Sequence, residues 1–580
     1  MSEDEESGGR ETPTPSRSLA IARIVIGLVQ GIALAALNLA IQGEKAWPAT
    51  DGLIFAPLQV AAIFVPVVVI LSLGNLRPRT FTIWVLAATA LCAGLGYYDI
   101  LRDPDEYALP RIIPSNVLWL ALGGGLFIAH SMIVAGDADR RFIATYPRYF
   151  EVAWKHGVQL IFAACFGIFW AVLIQSDPFR VSSVWPFVRK IEFTIPIATL
   201  AFAYVLHVTD AHATIIRAVQ ALALTLLSRL LHIVALLAVA IVLALPFAGF
   251  EIHRGLTGIL LATAAALVFL INTTYPDLRS ASPASTALRY SSSLVVAIVV
   301  LLVALAAYGL TLRVQQYGWS PQRIIASACI AVGACFALGY ALAMAWPKAR
   351  LSTFEATNII TAFIMLGAIL ALLTPIADPA RLSVADQVAR LESGRTPPER
   401  FDFAFLRFGS GRYGVEALAR LSQEQDGSDA ARIAELANVA MSWRTRDQIR
   451  VTPQVRLANI TVVHPKGQSL PMSFLQQDWG AHPQRGALPF CLLQNFKCEA
   501  ILADLDDDGN AEVLLYAPFG PASAFKVTAD ERWVIVGQMS NLGCAGVREA
   551  LRDGNFQLSQ AVLKELAVNQ QRLPIVPSCQ

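Results

Sequence analysis

The stretch LVVAIVVLLVALAAYGLTL, residues 294–312, contains no charged side chain and is long enough to cross a bilayer as one helix. Segments of similar length and composition recur along the first two thirds of the chain, so the sequence predicts eleven transmembrane helices. They cover residues 24–41, 53–73, 81–98, 117–135, 158–174, 193–208, 230–247, 256–274, 294–312, 324–346 and 358–376.

The sixth and seventh spans are the least clearly bounded of these segments. The apolar stretch between them, residues 214–228, contains Arg217. It is either an interfacial amphipathic helix or a cytoplasmic extension of a span. The count could therefore be ten, eleven or twelve.

The composition agrees with a membrane domain followed by a soluble one. Of the 580 residues, 55% are hydrophobic and 15% are charged, against about 25% charged in an ordinary soluble domain. The net charge of +2 gives no reason to expect a nucleic-acid partner. Residues 377–580 carry about half of all the charge. The predicted fold is an α-helical polytopic membrane domain followed by a small soluble α+β domain.

Four regions follow from this division. They are a disordered cytoplasmic tail (1–20), a transmembrane helical domain (21–377), a helical juxtamembrane part (378–450) and an α+β module (451–580). Periodicity predicts helices over 382–391, over 429–442 and from the Gly409–Gly411 turn to 421. Strands are predicted over 457–464, 513–517, 525–527 and 533–536, and short helices over 547–552 and 559–565.

The distribution of basic residues predicts the orientation. With the N-terminus inside, the inner segments hold 15 Lys and Arg and the outer loops hold 9, which is the bias expected of an inside-facing N-terminus. Eleven spans then place the C-terminal module outside, in the periplasm of a bacterial inner-membrane protein.

Cysteine usage points to the same compartment. Cys491, Cys498, Cys544 and Cys579 all lie in the soluble part, as two disulfides in an oxidising compartment would require. Of three possible pairings we favour Cys491–Cys498 with Cys544–Cys579. Four unrelated buried thiols are the alternative.

The spans contain few polar groups. No acidic or basic residue falls at the middle of a clearly defined span, which argues against an ion-coupled transporter and against a voltage sensor. Six polar residues of the spans are interpreted as interhelical hydrogen-bonding groups: Gln30, Asn38, His130, Gln159, His232 and Asn272. Gly27 with Gly31 is interpreted as a close helix contact. In the segment HVTDAH (207–212), two histidines and Asp210 offer metal-ligand types, but a His–Asp pair at the membrane boundary is the preferred interpretation.

One segment has the spacing of a calcium loop. DLDDDGNAE (504–512) begins D-x-D-x-D-G. Asp504, Asp506 and Asp508 would supply side-chain oxygens, Asn510 its carbonyl, and Glu512 a ligand directly or through water. The glutamate of an EF-hand is absent, so the loop is closer to strand-associated calcium loops. The alternative is a hairpin turn in which Asp and Gly serve the backbone alone.

Acidic residues in the outer loops are a second, speculative site. Asp51 follows the first span, and Asp99 and Asp103 follow the third. Carboxylates in such loops could hold a divalent cation or act as general acids or bases, and a solvated loop is the preferred alternative.

Three motifs resemble an uncharacterised bacterial family of multi-spanning inner-membrane proteins, catalogued as domain of unknown function 4153. They are WPATDG (47–52), NLRPRT (75–80) and FDFAFLRFGSGRYGVEAL (401–418). The resemblance covers most of the chain and implies its architecture and location. It supplies no activity and no catalytic residues.

The leading functional hypothesis is a non-enzymatic envelope protein. Its helices contact the lipid bilayer. Its periplasmic module binds a divalent cation or an envelope protein partner, and the oxygen ligands of the loop indicate Ca²⁺ as the cation. One alternative is a lipid-linked sugar or envelope-polymer transferase that uses the outer-loop carboxylates. Another is a transporter of an apolar substrate, which needs no charge in its spans. The sequence does not determine the oligomeric state.

Overall fold

The computed structural model of the chain describes most of its residues, in two compact units, Met1–Leu436 and Ala437–Gln580. The described residues are 17–42, 45–102, 112–176, 190–248, 255–276, 283–423, 429–443, 453–479, 482, 488–493, 497–517, 522–528, 530–539, 542, 544, 546–557, 566–568 and 571–573.

The first unit is helical. Among the described residues, 11 helices are long and apolar enough to cross a membrane, which confirms the predicted membrane domain. Their bounds are Arg17–Ile41 (α1), Gly52–Ser72 (α2), Pro78–Leu101 (α3), Asn116–Asp139 (α4), Tyr146–Ser176 (α5), Ile191–Ala211 (α6), Ala213–Ala248 (α7), Leu256–Thr273 (α8), Pro283–Tyr317 (α9), Pro321–Ala345 (α10) and Arg350–Leu372 (α11).

Residues 214–228 belong to the long helix α7. α7 begins at Ala213 and continues without a break for 36 residues. The stretch that contains Arg217 is therefore the first part of the seventh long helix and not a separate interfacial helix.

Small residues allow α1 to approach α6 closely. A Cβ atom added at Gly27 would lie 2.6 Å from the Cβ of Ala203, and one at Gly31 would lie 2.4 Å from the Cα of Pro196. Both distances are shorter than any real Cβ contact, so only glycine fits this face of α1. The predicted close helix contact is confirmed.

Three shorter helices follow α11 within the first unit: Pro379–Glu392 (α12), Phe403–Phe408 (α13) and Gly411–Leu421 (α14), with 3₁₀ turns at Pro347–Ala349 and Pro398–Arg400. Asp378 caps α12, because its side chain accepts from the backbone N–H groups of Ala380 and Arg381. A further helix, Ala430–Ser442 (α15), runs across the boundary between the units.

The second unit is built on a five-stranded sheet in the order β1-β2-β3-β4-β5, in which β1 is parallel to β2 and the remaining pairs are antiparallel. The strands are Ile460–His464 (β1), Cys498–Ala503 (β2), Glu512–Tyr516 (β3), Ala522–Val527 (β4) and Trp533–Met539 (β5). A two-stranded ladder, Leu566–Val568 (β6) with Gln571–Leu573 (β7), lies apart from it. The helices are Pro453–Asn459 (α16), Met472–Gln476 (α17) and Val547–Asp553 (α18), with a 3₁₀ turn at Phe490–Leu492.

Two details differ from the sequence-based prediction. Residues 457–459 end α16 and are not the start of a strand. The strand β2 was not predicted at all, although four of its six residues are buried. Its sequence, CEAILA, contains only one β-branched residue, so its propensity is weak and its place in the sheet comes from tertiary packing. The predicted helix at 559–565 lies outside the described residues.

The sheet is covered on both faces. Alternate residues of a strand point to opposite faces. On β3, Val513 and Leu515 pack into the cluster that contains Trp479, whereas Leu514 and Tyr516 pack into another. All five residues of β3 are buried. The loop that leads into β3 is therefore attached to the most buried strand of the sheet.

Candidate functional site

The acidic loop joins β2 to β3 as a hairpin connection. Ala503 pairs with Glu512 across the antiparallel ladder, so residues 504–511 turn between the two strand ends. Carboxylate oxygens of Asp504, Asp506 and Glu512 lie within 4.8 Å of one another. Within the described part of the chain, this is the one group of three His, Cys, Asp or Glu side chains that converges in this way.

Hydrogen bonds hold the loop in shape. The Asp504 carboxylate accepts from the backbone N–H of Asp508 at 3.2 Å and from that of Gly509 at 2.9 Å. The Glu512 carboxylate accepts from the N–H of Leu505 at 2.7 Å. Gly509 has a φ of 84°, which favours glycine. These bonds fix two of the converging carboxylates relative to the backbone.

A lysine from the neighbouring strand faces the same carboxylates. Lys526, on β4, makes ion pairs with Asp506 and, at 2.6 Å, with Asp508, and its Nζ lies 3.9 Å from Glu512 Oε1. Hydrogen bonds from Lys526 lower the pKa of Asp508, and hydrogen bonds to Asp506 and Asp508 raise that of Lys526. The ammonium group supplies positive charge where a bound cation would.

The donor set fits a hard divalent cation in part. Asp504, Asp506 and Glu512 converge, as predicted from the spacing, whereas Asp508 faces Lys526 and accepts from the N–H of Asn510 at 2.8 Å. The same contacts also make a well-formed hairpin turn, so both sequence-based interpretations have a structural basis.

A disulfide lies in the core of the same unit. Cys491 is bonded to Cys498, and both residues are buried in the cluster around Trp479. Cys544 is also disulfide-bonded, and Cys579 lies outside the described residues. The free cysteines of the described residues, Cys92, Cys165, Cys329 and Cys335, all lie on long apolar helices.

The outer-loop acids have structural partners in the first unit. Asp51 caps α2, since its carboxylate accepts from the N–H of Leu53 at 2.8 Å. Asp99 is buried, pairs with Arg102 at 2.8 Å and accepts from the N–H of Ser115 at 2.7 Å. Asp103 lies outside the described residues.

The contacts of Asp99 belong to a larger network that sequence reasoning missed. Asp378 is completely buried and accepts from the Tyr98 hydroxyl at 2.8 Å, and Arg102 lies 3.4 Å away. The Tyr98 hydroxyl is also 2.9 Å from that of Tyr413. The network joins α3 to α12 and α14. Its members are far apart in sequence, so no local motif could have revealed it.

The FGSGRYG motif has a packing explanation at the same place. A Cβ at Gly411, where φ is 56°, would lie 2.3 Å from the carbonyl oxygen of Arg102. One at Gly414 would lie 2.0 Å from that of Leu406. The glycines let α14 pack directly against the end of α3 and against α13.

In the described part of the chain, the ligand atoms of the HVTDAH segment do not converge on one point. Asp210 pairs instead with Arg23, at 2.8 Å, and with Lys155. The carboxylate of Asp210 thus bonds to cations from α1 and α5, and its interaction with His207 is electrostatic only. Arg23 is 1% exposed and also donates to the carbonyl of Leu73.

Four of the six polar residues in the spans bond to another helix, as predicted: Gln30, His130, Gln159 and Asn272. Asn38 instead accepts from Gln42, four residues further along, and His232 is exposed. The side-chain amide of Gln30 donates to the Ala62 carbonyl at 3.1 Å. That of Gln159 donates to the Thr209 hydroxyl at 3.3 Å. His130 accepts from the Trp84 indole at 3.0 Å.

A cavity of about 770 Å³ lies among the long helices of the first unit. Its walls come from α4, α5 and α8 to α11, and most of its lining is apolar. Its aromatic lining includes Trp154, Phe269 and Phe336. Its volume falls in the range of small-molecule sites. Its apolar lining suits a hydrocarbon ligand.

A chain of hydrogen-bonded polar side chains contributes to the lining of this cavity. The Tyr146 hydroxyl donates to Asn272 at 2.7 Å, Asn272 donates to the Tyr340 hydroxyl at 2.8 Å, and Tyr340 donates to Asn358 at 2.9 Å. Of the four, Tyr146, Asn272 and Asn358 line the cavity. Together with Ser131 and Tyr149, they are polar groups that an otherwise apolar ligand would meet.

Comparison with known proteins gives one match. Residues 31–421 match the family described as Domain of unknown function (DUF4153). The match covers about two thirds of the chain and confirms the resemblance seen in the motifs. No curated protein and no solved structure matches the chain.

Proposed function

This chain belongs to the DUF4153 family, and we propose that it is a bacterial inner-membrane protein whose C-terminal module lies in the periplasm and binds a divalent cation. The observation that carries this proposal is the convergence of the Asp504, Asp506 and Glu512 carboxylates within 4.8 Å. Oxygens that bind one Ca²⁺ at 2.3–2.6 Å lie within about 5 Å of one another. Calcium is therefore the ion that we assign to the loop.

Lys526 is central to the proposal. Its ammonium group forms ion pairs with both Asp506 and Asp508 in the absence of an ion. A divalent cation would have to displace it, and the lysine side chain is long enough to move into solvent. We therefore expect calcium to replace Lys526 at the carboxylates. The loaded module would present an ordered loop to an envelope protein partner.

The test is calcium titration of the full chain in detergent by isothermal titration calorimetry. Asp506→Asn should abolish binding, because Asp506 supplies one of the three converging carboxylates. Asp507→Asn is the matched control, since Asp507 has the same charge and lies in the same loop but outside the converging group. Absence of binding by the folded wild-type chain, or equal loss in both variants, would refute the cation site.

A second candidate function is transport of an apolar or lipid-like substrate. It is supported by the apolar cavity of about 770 Å³ and by the hydrogen-bonded polar side chains in its lining. A fluorescent short-chain phosphatidylethanolamine in proteoliposomes is a suitable probe, with dithionite quenching as the readout. Gly333→Phe, on the cavity wall, should slow transfer. Gly124→Phe is the control, because a Cβ at Gly124 meets nothing within 4 Å among the described residues. Transfer no faster than in protein-free vesicles would exclude this function for the probe.

The contacts of Asp51 and Asp99 give the transferase alternative little support. A general acid or base needs a carboxylate that can reach substrate. Asp51 caps a helix, and Asp99 is buried in an ion pair with Arg102. We therefore interpret both as structural residues.

A further inference from the structure

A groove of about 880 Å³ opens between the start of α3, the end of α4 and the middle of α11. One end of it is lined by arginines and the other by apolar side chains. The arginines are Arg77, Arg79, Arg140 and Arg141. Two of them belong to the NLRPRT motif, which neither the cation site nor the apolar cavity explains.

One of the four arginines is neutralised within the protein. Arg77 Nε donates to Asp137 Oδ1 at 2.8 Å, and its backbone N–H donates to Oδ2 at 3.0 Å. The hydroxyl of Thr80 donates to the same carboxylate at 2.5 Å. Asp137 is thus fully engaged and is not available to the other arginines.

The remaining three are exposed and have no ion-pair partner in the described part of the chain. Arg79, Arg140 and Arg141 therefore leave three positive charges at one end of the groove. Arg140 occupies the left-handed position at the end of α4, with φ at 51°. Glycine or asparagine is usual there because other residues are strained, so an arginine at this position is not explained by the backbone.

The apolar walls extend from the charged end along the helices. Ile83 is 59% exposed and Phe142 is 90% exposed. From Arg79 to Ala87 the wall formed by α3 is about 12 Å long, at 1.5 Å per residue. On the opposite side, Phe363 and Leu366 of α11 line the groove. One end can therefore bind an anion while the walls bind hydrocarbon.

We propose that this groove binds one anionic phospholipid from the leaflet that surrounds this end of the helices. The phosphate would lie against Arg79, Arg140 and Arg141, and an acyl chain would lie along the apolar walls. Basic pockets between transmembrane helices bind anionic headgroups in this way. The bilayer supplies such a ligand at this depth, and the walls give a soluble phosphate nothing to contact. The site is independent of the proposed calcium loop.

Native mass spectrometry of the full chain in detergent tests the proposal, with phosphatidylglycerol and phosphatidylcholine added in competition. We expect a preference for phosphatidylglycerol. In the triple variant Arg79→Gln, Arg140→Gln, Arg141→Gln this preference should fall by about tenfold or more, since each cation near an anionic headgroup adds affinity. The control is Arg17→Gln, Arg217→Gln, Arg229→Gln, which loses the same charge from exposed arginines outside the groove.

Two further arms separate the alternatives. Leu366→Trp narrows the apolar part of the groove and leaves the arginines in place. It should therefore also weaken phosphatidylglycerol binding. Inorganic phosphate should not compete with the lipid; if it competes fully, the site binds a soluble anion and the lipid assignment is wrong. Equal losses in the groove and control triple variants would show general charge attraction and would overturn the proposal, as would an unchanged preference in the groove variant.

Discussion

At the scale of single residues, the acidic loop depends on the balance between four carboxylates and one ammonium group. Lys526 faces Asp506 and Asp508 directly and Glu512 at 3.9 Å. Like charges held this close repel one another unless a cation lies among them. Either the lysine or a metal ion has to supply that charge. Calcium affinity and ion-free stability should therefore change in opposite directions when Lys526 is replaced.

Lys526→Met should raise calcium affinity by about tenfold, because the competing charge is gone. The same variant should melt at a lower temperature than the wild type without calcium and recover when calcium is added. Calorimetric titration and thermal melting of the full chain measure the two effects. A variant that loses calcium binding and stays as stable as the wild type would contradict this account.

The same ion pairs predict how stability depends on pH. The pKa of Asp508 is lowered by hydrogen bonds from Lys526, so its contribution is complete above the ordinary carboxylate pKa and is lost as pH falls through the lowered value. The pKa of Lys526 is raised, so its contribution is complete below the ordinary lysine pKa and is lost only in strong alkali. Calcium-free melting temperatures should be constant near neutrality and fall in acid. In Lys526→Met the acid-induced decrease should be smaller, and an unchanged decrease would mean that other groups control it.

Asp378 is a buried acid of the first unit whose contacts involve several helices. It accepts from Tyr98, lies near Arg102 and caps α12. Asp378→Asn keeps an acceptor but removes the charge, so we expect a loss of about 2 kcal/mol in the free energy of unfolding. Asp51→Asn is the control, since Asn caps a helix as well as Asp does. Thermal unfolding in detergent compares the two, and equal melting temperatures would show that the Asp378 network contributes little.

Sequence reasoning identified the acids of the calcium-like loop but not those of this network. The loop residues lie within nine positions, so their spacing alone implies a common centre. Asp378 and Tyr98 are separated by 280 positions. Their contact depends on how α3 and α12 pack, which no local pattern encodes. The same limit explains why Asp99 was interpreted as a loop acid and why the cationic partners of Asp210 were not predicted.

At the scale of elements, helices with a long apolar stretch were predicted well because length and composition alone define them. The eleven predicted spans all correspond to long helices among the described residues. Their ends were less accurate. The fifth helix begins at Tyr146 and not near 158, because charged residues such as Lys155 continue the helix beyond the apolar segment.

The soluble part was predicted less completely for a physical reason. Its strands are three to seven residues long, so each carries little periodicity. The missing β2 and the helical residues 457–459 are both cases in which packing against neighbours overrides weak local propensity.

The contact between α1 and α6 provides a test at this scale. In Gly31→Ala the new methyl group would lie 2.3 Å from the Thr199 hydroxyl oxygen and 2.4 Å from the Cα of Pro196. Because backbone atoms cannot move aside cheaply, the free energy of unfolding should fall by about 1–3 kcal/mol. Gly124→Ala is the matched control, and it should be neutral or slightly stabilising, since alanine favours helix. A Gly31 variant as stable as the control would mean that the helices are farther apart than described.

At the scale of the whole molecule, two independent properties bear on its placement in the membrane. Eleven crossings would put the two ends of the chain on opposite sides. Lys and Arg are more frequent in the loops that connect an even-numbered helix to the next odd-numbered one. These loops lie on the same side as the N-terminus, so the excess favours an inside N-terminus. The disulfide Cys491–Cys498 and the disulfide-bonded Cys544 favour an oxidising compartment for the C-terminal module.

An alkaline phosphatase reporter distinguishes the orientations, since it is active only where its own disulfides form. Fused after residue 580 it should be active, and fused in the α4–α5 connection, after Arg141, it should be inactive. A fusion in the α1–α2 connection, after Ala46, should again be active and serves as the matched outside control. The reverse pattern at all three positions would mean an outside N-terminus. Activity at Ala46 with none at the C-terminus would mean an even number of crossings, and the calcium loop would then face the cytoplasm, where Cys491 and Cys498 would be reduced.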